Sequence, residues 1–409
     1  MSSSQKMIVE LENNSSISPW PDLPKELLSM IKNFLNSPTD VARFRSVCAS
    51  WRSSTAPFKT SFPVSAVPFK DAMFPMDSEV HHLTEKVIFC IEPLRQSSSS
   101  SSSWLISVEF DGCKIYLVNP FTGLRIESLH SQMPKQLNMC DYRFTELKKV
   151  YSVQDFRLFS DGAKQCIIKK ALFVSPPNYD HEMLVVLVPP GNLVFYKLGT
   201  DQWITLREIV GMGFDDIILH HGRVYGITSL GITVVVYSDL SPKEIANRVL
   251  PEGMCCMAYL IESCGHIYLI ERYEDTRKFD PILSGFNHVI SRWTRLLDDG
   301  VFQVKVYRLL EDEEMWKEVS HLDNRVFFLS CFSNWSFSAS SEDFLGCKGN
   351  CIIFEIGSGM IDENSYELPS NAGVFDVETG NLQVLDQCPG YAEMYWPPPN
   401  WLNPQNLSG

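Results

Sequence analysis

One phrase, repeated at uneven intervals, constrains this chain most: a glycine or asparagine followed at once by a short run of aliphatic, aromatic and β-branched residues. It reads Gly112-Cys-Lys-Ile-Tyr-Leu-Val, Gly222-Arg-Val-Tyr-Gly-Ile-Thr, Gly265-His-Ile-Tyr-Leu-Ile-Glu, Asn324-Arg-Val-Phe-Phe-Leu-Ser and Asn350-Cys-Ile-Ile-Phe-Glu-Ile. Gly and Asn tolerate the backbone reversal that starts a returning strand, and the residues after them suit a pleated, half-buried surface. A second pattern is a hairpin with a polar tip, as in YLVNPFTGLRIESL, FYKLGTDQWITL, VYRLLEDEEMWKEV and VFDVETGNLQVL. Further strands are expected at KVIFCI from Lys86, WLISVEF from Trp104, CKIYLVNP from Cys113, LVFYKL from Leu193 and ITVVVYS from Ile232, while LKKVYSVQDF leaves helix and strand open. The body of the chain is therefore mainly β, in many short antiparallel strands.

Many short strands must bury their faces without leaving long open edges. Radial stacking of small sheets does this, and most of the 409 residues are available for it. The phrases recur at intervals between 26 and 110 residues, too uneven for a regular kelch repeat. An irregular β-propeller-like domain is expected over residues 75–400, with a β-sandwich as the rival. Ser97 to Ser103, seven consecutive serines, reads as a flexible loop at a sheet edge.

The start of the chain obeys a different period. Residues 1–19 are polar and read as a disordered tail. From Trp20 the text runs WPDLPKELLSMIKNFLNSPTDVARFRSVCASWRSSTAPF. Leu27, Ile31 and Leu35 recur every four residues with Leu28 beside them, while Met30 and Phe34 occupy a second face. Pro24 suits the first turn of this helix. Ser37, Pro38 and Asp40 announce a second helix carrying Val41, Phe44, Val47 and Cys48, and a third contains Trp51 and ends before Pro57. Of the residues from Trp20 to Lys59, 17 are apolar. Three helices this short enclose too small a core to bury them all, and each buried Leu, Ile or Phe is worth about 1.5–3 kcal/mol, so another body should cover the remainder.

These residues resemble an F-box. The resemblance rests on Leu23-Pro24-x-Glu26-Leu27-Leu28, then Val41-x-x-Phe44-x-x-Val47-Cys48, then Ser50-Trp51-Arg52, in order and at the family's separations. It implies an F-box at 20–60, followed by a linker at 61–74, docking on the Skp-type adaptor of a cullin-RING ubiquitin ligase. Carried over residue by residue, Leu23, Pro24, Leu27, Leu28 and Ile31 belong to the adaptor face. Val47, Cys48 and Trp51 wedge into the same contact, fringed by Arg43 and Arg45. The C-terminal third is similar to the propeller-like domain of a large plant group of F-box proteins, through His321 to Leu329, Phe337 to Ser340, Gly346 to Phe354, Gly373 to Gly380 and the ending Tyr395 to Trp401. Residues 401–409 are read as a tail.

Charge and cysteine usage narrow the partners. The net charge is -14, yet residues 20–60 carry six bases and three acids, a balance of +3 that leaves -17 on the rest. An acidic body repels phosphate, which argues against nucleic acid or an anionic membrane. The 12 cysteines are irregularly spaced and the start has no apolar signal core, as expected of reduced thiols in the cytoplasm or nucleus. The longest apolar runs, such as MLVVLVPP from Met183, fall short of the ~20 residues that span a bilayer.

No chemistry is legible. Cys347 with Cys351, and Cys255 and Cys256 with Cys264 and His266, lack the paired spacings zinc favours and read as strand cysteines. His220-His221 and His81-His82 read as structural or solvated pairs. Asp215-Asp216 and Glu311 to Glu314 read as loop charge. Gly357-Ser358-Gly359 lacks the lysine and helix of a phosphate loop. No catalytic residue, metal or cofactor is expected. The expected function is that of a non-catalytic substrate receptor, with a ligand-gated sensor or a non-ligase propeller enzyme as alternatives.

Overall fold

The computed structural model describes residues 23–35 and 38–56 and, between 83 and 395, the strands and turns named below. The expected tails, the 61–74 linker, Ser97 to Ser102 and residues 396–401 lie outside the described residues. The chain divides into two compact units, one comprising Met1–Ser61 with Gly112–Lys114, the other the remainder.

Among its described residues the first unit holds three helices, α1 (Lys25–Lys32), α2 (Pro38–Ser46) and α3 (Ala49–Ser54). Pro24 sits just before α1 rather than within its first turn. Its extended backbone presents the carbonyl that accepts from Leu28 N at 3.1 Å, so the residue lacking a donor stands where none is needed. Glu26 and Asp40 lie in the first turns of α1 and α2, and Lys32, Arg43, Arg45 and Arg52 in last turns, as the helix dipole favours.

The second unit is built almost wholly of strands. β1 (Leu83–Pro93), β2 (Trp104–Asp111), β3 (Lys114–Val118) and β4 (Tyr142–Val153) pair in the order β4-β1-β2-β3. The ambiguous LKKVYSVQDF thus resolves mostly as strand, because β4 gains a full hydrogen-bonded ladder on β1. β5 (Phe156–Leu158) and β6 (Lys164–Cys166) form a small separate hairpin. β7 (Lys170–Val174), β8 (Met183–Val188), β9 (Asn192–Lys197) and β10 (Gln202–Leu206) follow as a meander that pairs with the first group at Tyr151 opposite Ala171. Two four-stranded meanders come next. One contains β11 (Phe214–His220), β12 (Arg223–Thr228), β13 (Ile232–Val236) and β14 (Pro242–Asn247). The other contains β15 (Met254–Ser263), β16 (His266–Asp275), β17 (Phe302–Leu310) and β18 (Met315–Glu318). The last sheet takes β19 (Arg325–Ser330), β20 (Trp335–Ser340), β21 (Cys351–Glu355), β22 (Ala372–Asp376) and β23 (Leu382–Val384) in the order β20-β19-β21-β22-β23, with β19 and β21 parallel.

One strand of each group faces the middle of the unit. β4 neighbours β7, β7 neighbours β11, β11 neighbours β15, β15 neighbours β20, and β20 returns to β4. Five groups of strands are thus arranged in cyclic order, which makes this an irregular β-propeller. Middle strands such as β8 are buried at every residue, because both faces are covered by neighbouring sheets. Outermost β14 and β18 are mostly exposed and carry Pro242, Lys243 and Glu244, and Lys317 and Glu318, which discourage edge-to-edge pairing.

Three of the phrases, at Gly222, Gly265 and Asn350, start with a left-handed residue, while before β19 that residue is Asp323 (φ 52°) rather than Asn324, and Gly112 lies outside the described residues. In the β11–β12 turn His221 and Gly222 have φ of 45° and 72°, and in the β15–β16 turn Cys264 and Gly265 have 51° and 77°. Two consecutive left-handed residues define the hairpin turn whose twist matches that of its strands. Asn350, at φ 66°, precedes β21, and its side-chain Oδ1 accepts from Leu322 N at 2.7 Å.

Candidate functional site

In the helical unit, α1 carries two adjacent apolar stripes, and only one is used inside. Leu28 is fully buried and packs with Phe44 and Trp51, with Leu23, Ile31, Leu35 and Cys48 partly buried around them. The Phe44 and Trp51 rings lie 4.6 Å apart, tilted by 39°. The other stripe, Leu27, Met30 and Phe34, is 45%, 59% and 78% exposed, and Val47 after α2 is 47% exposed.

Leu28 and Trp51, expected on the adaptor face, are therefore interior residues of the helical cluster. Three short helices need a bulky centre, and these are the side chains that converge there. Ile31, Leu23 and Cys48 sit at its margin, Pro24 is exposed, and Leu27 and Val47 stand outside. Met30 and Phe34, read from sequence only as a second face, are the most exposed large apolar side chains among the described residues of the unit. Arg45, expected to fringe the contact, is instead tied to the neighbouring helix. Its guanidinium donates to the carbonyls of Arg52 (3.1 Å) and Thr55, while Arg52 Nε donates back to the Arg45 carbonyl at 3.1 Å. The Trp-Arg pair thus fastens α3 to α2, the tryptophan from inside and the arginine from outside.

In the propeller, the inner strands share a polar network. Lys170 Nζ on β7 lies 2.9 and 3.2 Å from the two carboxylate oxygens of Asp216 on β11, and 3.3 Å from Ser336 Oγ on β20. Asp216 also accepts from Leu260 N on β15 at 2.7 Å, and Ser336 Oγ donates to the Leu260 carbonyl at 2.8 Å. Asp216, read from sequence as loop charge, is a buried strand residue; its partners come from strands far apart in the chain. A cavity of about 50 Å³ opens here, lined by Lys148, Lys149, Tyr151, Lys170, Trp335 and Ser336 among others, with room for a few waters. Burial, reinforced by Lys170, pushes the Lys148 ammonium below its ordinary pKa against the opposing pull of Glu262.

Of the cysteines read as strand residues, Cys351 is buried on β21 with its thiol pushed up by burial, and Cys347 is half-buried. Cys264 is exposed at a turn. His220 and His221 are neither simply structural nor simply solvated, since both rings meet Glu311 from the β17–β18 turn. Glu311 is correspondingly more than loop charge, accepting from Tyr225 Oη at 2.7 Å.

Comparison with known proteins places this geometry. The model described as KIB1-4 beta-propeller matches residues 73–376, well over half of the chain, and an F-box-like model matches residues 20–57. The chain belongs to the KIB1-4 beta-propeller family. It is similar to the F-box protein SKIP23 of Arabidopsis thaliana, 29% identical over 396 residues covering 94% of this chain and 95% of the relative. It is also similar to the F-box protein At2g17036 of the same plant, 28% identical and covering 95% and 96%. The F-box/kelch-repeat protein At1g64840, again from Arabidopsis thaliana, is 25% identical and covers 84% and 85%. The KIB1-4 beta-propeller chain thus pairs an F-box-like helical unit with a propeller. A solved oligogalacturonate lyase from Vibrio parahaemolyticus covers 56% of this chain and 58% of its own at a TM-score of 0.29 and 11% identity, a likeness that carries no argument.

Proposed function

We propose that this chain is the substrate-recognition subunit of an SCF-type cullin-RING ubiquitin ligase. The F-box-like helices dock on the Skp-type adaptor, and through it on cullin and RING subunits, while the propeller recruits a protein for ubiquitination. The chain acts in the cytoplasm or nucleus and performs no chemistry itself. It raises the local concentration of a tethered substrate beside the charged conjugating enzyme, on the order of millimolar for short tethers.

The observation that carries the reading is the apolar stripe left over on the helical unit. Leu27, Met30, Phe34 and Val47 are exposed although their unit already has a packed centre. Exposed apolar residues gathered on one small unit mark an association surface. The docking face proposed is therefore Leu27, Met30, Phe34 and Val47, bordered by Leu23, Pro24, Ile31 and Cys48. Leu28 and Trp51 support it from beneath. The acidic composition of the remaining chain disfavours nucleic acid or an anionic membrane as the recruited partner.

Co-purification of the full chain with a Skp-type adaptor tests this. Leu27→Asp combined with Met30→Asp puts two charges on the exposed stripe without touching the centre, and adaptor binding should fall at least a hundredfold while the far-UV strand signal is unchanged. Full adaptor binding by this variant would refute the assignment.

A further inference from the structure

The turn between β11 and β12 does something unusual with two consecutive histidines. In a strand, neighbouring side chains point to opposite faces. His220 is the last residue of β11, paired with Arg223, and His221 is the first residue of the two-residue turn, with φ of 45°. That left-handed step turns the second ring back over the first, so the ring centroids are 3.9 Å apart. The ring nitrogens therefore converge on one side.

A carboxylate meets them from the next sheet. Ile218 on β11 and Tyr225 on β12 pack with Leu260 and Leu309 of the β15–β18 sheet, and this contact fixes where β17 ends. Glu311 follows immediately in the single 3-10 turn Glu311–Glu313 before β18. Tyr225 Oη donates to Glu311 Oε2 at 2.7 Å, which holds the carboxylate and leaves Oε1 directed at the histidines. His220 Nε2 lies 3.3 Å from Oε1. One ligand atom from each of His220, His221 and Glu311 falls within 4.8 Å of the other two.

His220 is the telling member. It is 2% exposed, and its Nε2 is sealed from solvent, facing Glu311 Oε1 at 3.3 Å without a well-formed hydrogen bond. A buried polar atom left unsatisfied is unfavourable unless something else occupies its lone pair or accepts its proton. The 3.3 Å spacing is also the edge of a tetrahedron with metal–ligand bonds of about 2.0–2.1 Å.

We propose that His220, His221 and Glu311 bind a divalent transition-metal ion, zinc being the best fit to two imidazole nitrogens and one carboxylate oxygen. Tyr225 orients the carboxylate from outside the coordination shell, the role that outer hydrogen bonds play at such sites. His221 and Glu311 are exposed, giving the ion its entry path and the freedom to close the remaining spacing. Three protein ligands leave a fourth position for water, and the ion cross-links the β11–β12 turn to the β17–β18 turn, stapling two adjacent sheets.

The test uses the full chain, stripped with a chelator and reduced. Zinc chloride titrated by calorimetry should bind once per chain with a rise in melting temperature. Cobalt(II) chloride should give intense visible bands of a low-coordinate site without a near-ultraviolet thiolate charge-transfer band. His221→Ala and Glu311→Gln, both at exposed positions, should each weaken zinc binding at least tenfold. Absence of the cobalt bands, a thiolate band marking a cysteine site instead, or unchanged zinc affinity in both variants would each overturn the proposal.

Discussion

Glu85 on β1 illustrates how one half-buried acid records its surroundings. Its Oε1 is buried without a partner, and its carboxyl is pushed above the usual glutamate range, chiefly by burial, with Glu146 adding to the shift and Lys149 opposing it. A carboxyl whose folded pKa is raised holds its proton in the folded chain when the unfolded chain has already released it. The associated stability is present below the unfolded value, near 4.5, and is lost as pH rises through the folded value. Glu85→Gln removes the ionisation, so its melting temperature should exceed that of the parent increasingly as pH rises from 4.5 to neutrality. A constant difference across that range would contradict the burial account. Nothing in the letters around Glu85 signals this. The alternation of β1 says which face it is on, but only the pairing of β4 with β1 sets Tyr151 beside it.

At the scale of the element, the β11–β12 hairpin carries a constraint no propensity scale contains. Gly226 sits in the middle of β12, where glycine normally weakens a strand. A Cβ built there would lie 2.6 Å from Cδ1 of Phe214, whose ring is buried beside Ile217. The ladder between β11 and β12 slips by one residue between Phe214 and Asp216, and that bulge brings the ring across the glycine. Gly226→Ala should therefore destabilise the propeller by about 1–3 kcal/mol through overpacking, measured by denaturant unfolding. A neutral or stabilising result would mean that the ring moves aside freely. The turn itself was readable: a histidine and glycine before Arg-Val-Tyr predicted a reversal, and the two positive φ angles are that reversal.

At the scale of the whole propeller, four inner strands depend on one carboxylate. Asp216 bonds Lys170 on β7 and the backbone of Leu260 on β15, and Ser336 on β20 joins both. Removing the acid strands a mostly buried ammonium, 13% exposed at its side chain, and a buried backbone donor. Asp216→Ala should cost about 3–5 kcal/mol, the penalty of breaking a buried ion pair on one side. Calorimetric melting measures it, and Lys170→Met in the same background should recover part of the loss. Equal melting of Asp216→Ala and the parent would show that the ring does not rely on this network.

The amino-acid sequence by itself determined the periods: helical stripes from Leu23 to Trp51, turn residue followed by strand through the rest, and hence a small helical unit joined to a mainly β body. Those are local properties, set by the backbone each residue favours and by the repeat distance of its apolar neighbours. Only the tertiary structure decided which of the two stripes on α1 went inside, because Leu28 and Leu27 are equally apolar and the choice depended on where Phe44 and Trp51 arrived. It likewise decided that Asp216 is interior and that Glu311 meets His220 and His221, since these groups come from different sheets. Their proximity is a consequence of strands stacking in a ring, which a one-dimensional pattern does not encode.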